Sequence, residues 1–187
     1  MEIASLSFPF KSGARLIELG GGNQPMVRPN LDVRPGPNID MVADFNKLLP
    51  LPSNSYDGLL CKFVIEHLSW RKVRQFVHET HRILTPGGVG FFITANLLEQ
   101  ARKLVEAPEW NDDLICMLFG GQNIESDDWY RTWMPEAHHC GFSPKYAEML
   151  FRAAGYYEVK VYPLPTCDTD MVIEAKKSAV AVTYGLG

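Results

Sequence analysis

Residues 15–22, Arg-Leu-Ile-Glu-Leu-Gly-Gly-Gly, hold the spacing most able to do chemistry. A short apolar run, Leu16, Ile17 and Leu19, carries one acid, Glu18, and then breaks into Gly20, Gly21 and Gly22. Such a pattern ends a buried parallel strand in a turn whose backbone approaches another group closely. Three residues without Cβ lose extra conformational entropy on folding, and either of two causes would offset that: a tight strand-to-helix turn, or a ligand lying against the chain. The cysteines offer no comparable chemistry. Cys61, Cys116, Cys140 and Cys167 are far apart and form no Cys-x-x-Cys pair, so they read as reduced thiols, and no metal-ligand set stands out.

The elements that must position the glycine turn alternate along the chain. Leu16–Leu19 reads as a strand, 30–33 as a second, 39–45 as a third and 56–64 as a fourth. Ser69 is placed to cap a helix over 70–84, where Val73, Phe76, Val77, Thr80, Ile83 and Leu84 recur at three- and four-residue spacing. Thr85-Pro-Gly-Gly88 should stop it before a strand over 89–94. Residues 97–106 read as a helix, 107–141 lack a clean period, and Ser143-Pro144 opens a helix ending at Gly155, Pro sitting at its favoured first position. Strands over 156–162 and 170–175 close the chain. Alternation of this kind predicts an α/β fold with a doubly wound, mostly parallel sheet, whose ligands sit at the carboxyl ends of the strands.

At 187 residues and 46% hydrophobic content the chain forms one domain with one sizeable core. A net charge of −4 argues against holding nucleic acid by general electrostatics, although Arg71, Lys72 and Arg74 form a local basic patch. An acid at position 2 and the lack of a long apolar core lead us to expect no signal peptide, and no run reaches a membrane span. The expectation is a cytoplasmic protein.

Several motifs now carry a resemblance. The pieces are LIELGGG at 16–22, LDVRP at 31–35, VADFNKLLPLPSNSYDGLLCKFVIEHL at 42–68 and VRQFVHETHRILTPGG at 73–88. Their types and order resemble the class I S-adenosylmethionine-dependent methyltransferases, in particular the small type-11-like group, over roughly residues 15–96. The resemblance implies a Rossmann-like methyltransferase sheet with the last strand antiparallel, and S-adenosylmethionine as cofactor. Residues 15–96 would then be the cofactor-binding half, 97–141 a lid and substrate insertion, 142–177 the closing helix and strands, and 178–187 a tail.

The resemblance also assigns roles. Asp32 matches the carboxylate that accepts the ribose hydroxyls, each such charge-assisted bond being worth about 1.5–3 kcal/mol. Asp44 matches the acid at the adenine amino group, with Phe45 alongside the ring. Glu18 matches the acid that orders the turn and reaches the methionine ammonium. Gly20, Gly21 and Gly22 let the backbone approach, and Lys62 and Phe63 border the methionine portion. Read from residue type alone, Asp32 and Asp44 are equally solvated acids at strand ends. Two departures stand out. The third glycine of the family turn is replaced around Asn23-Gln24, and only nine residues separate Gly22 from Asp32. That is too short for a long first crossover helix, and it makes Asp40 a rival to Asp32.

Methyl transfer chiefly needs in-line positioning of the acceptor, with a base where the acceptor keeps a proton. His67, His138 and His139 are placed for that task. Resembling proteins carry a GGQ…H…GF pattern, matched here by Gly120-Gly121-Gln122, His138 and Gly141-Phe142, which favours His138. Glu66 should serve the start of the following helix. The insertion combines Trp110, Trp129, Tyr130 and Trp133 with Asp112, Asp113, Asp127 and Asp128, a mixture suited to a sugar, a small aromatic or a cation. The expected reaction is methylation of a small molecule, more often at oxygen, with the lid hinged at Gly120-Gly121. The alternatives are a protein or RNA methyltransferase and a non-catalytic cofactor-binding partner subunit. Cover for the site comes from 97–141, from the acceptor, or from a second subunit in a homodimer.

Overall fold

The computed structural model describes residues 8, 10–107, 109, 112–122 and 135–180. Its strands are β1 (Leu16–Leu19), β2 (Asn30–Asp32), β3 (Met41–Val42), β4 (Tyr56–Lys62), β5 (Leu84–Ala95), β6 (Glu158–Leu164) and β7 (Cys167–Lys176). The helices are α1 (Val73–Ile83), α2 (Leu97–Glu106), α3 (Asp112–Phe119) and α4 (Pro144–Ala153). The strands form one sheet in the order β3-β2-β1-β4-β5-β7-β6. β3, β2, β1, β4 and β5 run parallel, and β7 lies antiparallel between β5 and β6. The carboxyl ends of the first five strands therefore share one edge. No helix among the described residues is long and apolar enough to cross a membrane.

The pleat decides which residue faces which layer. Leu59, Cys61 and Phe92 point into the larger core with Phe76 and Val77 of α1 and Leu150 and Phe151 of α4. Leu60, Phe91 and Ile93 point to the opposite face, where Phe8 and Phe10 pack on them. Phe91 meets Phe8 and Phe10 at ring-centroid distances of 5.2 and 5.5 Å.

Several boundaries differ from the sequence reading. The 39–45 strand shrinks to Met41–Val42, an edge strand whose two side chains are exposed. Ser69 builds a turn, its Oγ accepting from Arg71 N, so α1 begins only at Val73. Residues 84–88 do not separate helix from strand. β5 starts at Leu84, and the Pro-Gly-Gly forms an irregularity against β4, whose partners jump from Tyr56↔Leu84 to Gly58↔Val89. α3 was hidden in the stretch without a period, since it is short and only Leu114 of it is buried. α4 matches its expectation, Ser143 capping it by accepting from Tyr146 N.

The loop that carries Asp44 and Phe45 to the sheet edge is stapled to α1. Arg82 donates to the carbonyls of Leu49 and Leu51 while its guanidinium pairs with Glu79, whose carboxylate also accepts from Leu49 N. Phe45 completes the attachment by packing on Phe76 at 5.5 Å.

Candidate active site

The glycine turn after β1 is held from beneath by polar groups. Glu18 is fully buried; its Oε2 accepts from Met26 N at 2.5 Å and Val27 N at 2.9 Å. Lys62 Nζ pairs with Glu18 Oε1 at 2.9 Å. Asn30, also buried, accepts from Gly21 N at 3.0 Å and donates to the carbonyls of Gly22 and Asn38. The glycines of the turn differ in what surrounds them. Gly20 has φ +76°, and a Cβ there would stand 2.1 Å from Val64 Cγ2, so packing excludes any side chain. Gly22 has φ +55°, and a Cβ there meets nothing within 4 Å. It faces open space.

That space is a cavity of about 820 Å³ at the carboxyl edge of the sheet, within the range of about 300–1,000 Å³ usual for small-molecule sites. Gly20, Gly22, Asp32, Asp44, Phe45, Phe63 and His67 line it, whereas Glu18, Gly21, Lys62 and His138 do not. Asp32 Oδ2 accepts from Gly22 N at 3.1 Å and Oδ1 from Arg34 N at 3.1 Å. A carboxylate has about four acceptor sites, so each oxygen keeps capacity toward the cavity. Asp44 accepts from Asn46 N at 2.9 Å and pairs with Lys47 at 3.3 Å. Partial burial alone would raise its pKa, but the Asn46 N–H and the Lys47 ammonium outweigh it and hold the carboxyl below its ordinary value. Phe63 carries φ +51° on the cavity wall, the backbone conformation that L-residues rarely adopt and that gathers at functional sites.

Two cofactor assignments need correction. Lys62 turns under the glycine turn to neutralise Glu18 and does not border the cavity. Glu18, enclosed by Met26, Val27 and Lys62, orders the turn but presents no free edge to a methionine ammonium. Asp40, the rival to Asp32, is consumed elsewhere: it accepts from Asn30 N at 2.7 Å and pairs with Arg28 at 2.6 Å, off the cavity wall.

The histidines come from two distant segments. His67 follows Glu66 in a 3-10 turn after β4, so Glu66 caps no helix N-terminus. It points inward instead, 1% exposed, with Thr94 Oγ1 donating to its Oε2 at 2.9 Å. Burial pushes the Glu66 carboxyl up to about 7. His67 Nδ1 lies 3.1 Å from the Ala137 carbonyl, which can only accept. The neutral ring is thus the Nδ1–H tautomer, with its lone pair at Nε2. Burial, then the neighbouring His138, lowers the His67 pKa. His138 stacks edge-on against His67 at 4.9 Å, and His139 takes the place on the wall. The expected hinge at Gly120 is pinned, Gly120 bridging to Ala137 and His138 N bonding to Phe119 O.

Sequence reasoning missed Asn30, Arg34 and Glu136, and it ranked His139 behind His138. Arg34 and Glu136 form an ion pair at 3.2 Å, and both line the cavity. Only the position of Arg34, two residues past Asp32, signalled a site role. Trp110, Trp129, Tyr130, Trp133, Asp127 and Asp128 lie outside the described residues.

The arrangement fits S-adenosylmethionine, with an open approach at Gly22, a carboxylate with spare acceptor capacity at Asp32, and aromatic rings at Phe45 and Phe63. A methyltransferase-domain family model matches residues 23–92. No curated protein matches the sequence. Among solved structures the fold resembles a Thermotoga maritima methyltransferase described as a possible histamine N-methyltransferase, at 17% identity over 88% of this chain and 83% of that one, TM-score 0.56. A Mesorhizobium loti S-adenosylmethionine-dependent methyltransferase aligns at 16% identity over 88% and 91%, TM-score 0.59. One from Archaeoglobus fulgidus aligns at 12% identity over 90% and 88%, TM-score 0.60. The family match lies across the strand ends that build this cavity, and fold, cavity and match together are consistent with a class I S-adenosylmethionine-dependent methyltransferase.

Proposed function

We propose that this methyltransferase acts on a hydroxyl of a small molecule, such as a sugar or a specialised metabolite, held between His67, Arg34, Glu136 and His139. The observation that carries the reading is the tautomer of His67. His67 Nδ1–H donates to the Ala137 carbonyl, leaving a lone pair at Nε2 on a ring that lines the cavity. The lowered pKa keeps that lone pair free near neutral pH. Such a group is required for a hydroxyl and dispensable for an acceptor that has no proton to lose. The cavity's size and the −4 net charge favour a small molecule over nucleic acid.

When bound, S-adenosylmethionine supplies a methyl group already activated on a sulfonium. The chain's own task is positioning. Asp32 accepts from the ribose hydroxyls, Asp44 from the adenine amino group, and the Gly22 backbone allows close approach. His67 takes the acceptor proton at Nε2, with effective molarity supplying much of the rate. Calorimetry with S-adenosylhomocysteine tests the cofactor site, and a panel of hydroxylated acceptors tests the reaction. His67→Ala should lower turnover about 10²–10⁴-fold while leaving cofactor affinity nearly intact. Turnover on amines alone, indifferent to His67, would overturn the oxygen-acceptor reading.

A further inference from the structure

We propose that Glu66, His67 and His138 form a binding site for a first-row divalent cation of the zinc(II) or iron(II) kind, set in the wall of the cofactor cavity. One carboxylate oxygen and one nitrogen from each ring lie within 4.8 Å of one another. An ion bound at about 2.0–2.2 Å to each would hold its donors about 2.8–3.6 Å apart, so loading needs a closure of up to about 2 Å from the observed separation. Two imidazoles with one carboxylate suit zinc or iron(II) and suit the all-oxygen preference of magnesium or calcium poorly.

The outer groups are those a metal site requires. Ligating histidines give their second ring nitrogen to a carbonyl or carboxylate, and ligating carboxylates are themselves hydrogen-bonded. His67 is held by the Ala137 carbonyl and Glu66 by Thr94. The three are also locked together by the main chain, because His139 N and Cys140 N both bond to Glu66 O, at 2.8 and 3.2 Å. Glu66 is buried, yet among the described residues no lysine or arginine pairs with it. A buried carboxylate without a cationic partner is costly, and a bound cation would supply one.

The inference rests on the oxygen-acceptor reading and deepens it. His67 borders the cavity, so the ion's open positions would meet the acceptor there. They suit an acceptor with two adjacent oxygens, as on a sugar. Its hydroxyl gives its proton to solvent on binding the cation. The oxygen then forms the bond to the methyl carbon, and the electron pair of the broken carbon–sulfur bond stays on sulfur. With the site loaded His67 is a ligand, and the cation does the work that the free Nε2 does in its absence.

The test uses the full chain stripped with chelator, titrated with zinc(II) by calorimetry and with cobalt(II) by visible absorption. One ion should bind per chain at micromolar affinity or tighter, without the charge-transfer absorption of a cobalt–thiolate bond. His138→Ala and Glu66→Gln should each weaken binding at least about 100-fold. Their S-adenosylhomocysteine affinity, measured alongside, should stay near wild type and so certify the fold. Binding that survives both substitutions, shows thiolate absorption, or never saturates overturns the site. Absence of S-adenosylhomocysteine binding by the wild-type protein would instead overturn the methyltransferase reading, and full activity of the stripped enzyme on hydroxyl acceptors would leave that reading standing without the metal.

Discussion

Gly20 and Gly22 share a positive φ for different reasons, and substitution separates them. At Gly20 a Cβ would collide with Val64. Overpacking costs about 1–3 kcal/mol and the left-handed conformation about 1–2 more. Gly20→Ala should therefore lose about 2–5 kcal/mol of stability in urea denaturation. Gly22→Ala should lose only the conformational part, but its methyl would stand in the cavity and weaken S-adenosylhomocysteine binding. If both variants lose stability alike and neither loses affinity, the open space at Gly22 is not the cofactor's. The two aspartates separate in the same way. Asp32→Ala should weaken the S-adenosylhomocysteine complex by about 1.5–3 kcal/mol, whereas Asp40→Ala, which breaks the bond to Asn30, should destabilise the fold and spare affinity. At this scale the glycines, Asp32, Asp44 and His67 were legible because each sits at a strand end that local pattern locates. Asn30 and Glu136 were not, since their roles depend on partners brought together by folding, and the same dependence left His139 ranked behind His138. Lys62 was misread because its charge answers Glu18 beneath the turn, a relation invisible along the chain.

The unit from β4 through α1 to β5 shows where periodicity succeeds and fails. It located α1 and its buried face, while its ends moved: Ser69 spends its hydroxyl on a turn, and the Pro-Gly-Gly is absorbed as a strand irregularity. At the far end of α1, His81 packs edge-on against Tyr156 at 5.0 Å. Burial, then the Lys177 ammonium and His78, pushes its pKa down to about 4, against a smaller opposing effect from the Gly155 carbonyl. The unfolded chain would bind that proton near pH 6.5. The folded state therefore favours neutral His81, and stability present above about pH 6.5 is lost as pH falls toward 4. For a half-buried ring that amounts to about 1–3 kcal/mol. His81→Phe keeps the ring contact and removes the titration, so its stability should fall less than wild type between pH 7 and pH 4.5. Parallel declines in paired denaturation curves would remove His81 from the acid sensitivity of the fold.

Across the whole molecule the cavity joins segments far apart in sequence. The sheet edge was predictable from strand alternation, since parallel strands bring their carboxyl ends to one side. What closes over that edge was not, because the wall opposite the glycine turn comes from Pro135, Glu136 and His139, in a stretch with no period to read. The ion pair of Arg34 with Glu136, 102 positions apart, is the charged link between the cofactor half and that wall. Both side chains are well exposed, so the pair should contribute only about 0.2–1 kcal/mol and little to global stability. Both residues line the cavity, so the pair is predicted to act on ligand release as a clasp between the two segments. Arg34→Ala and Glu136→Ala should each raise the dissociation rate of S-adenosylhomocysteine about 1.5–5-fold, and the double variant no further. Raising salt should speed release from wild type toward the variants and leave the variants unchanged, since screening acts only where the pair exists. Stopped-flow release traces decide the matter. If the two substitutions multiply instead of saturating, each residue touches the ligand separately, and the pair does not act as a clasp.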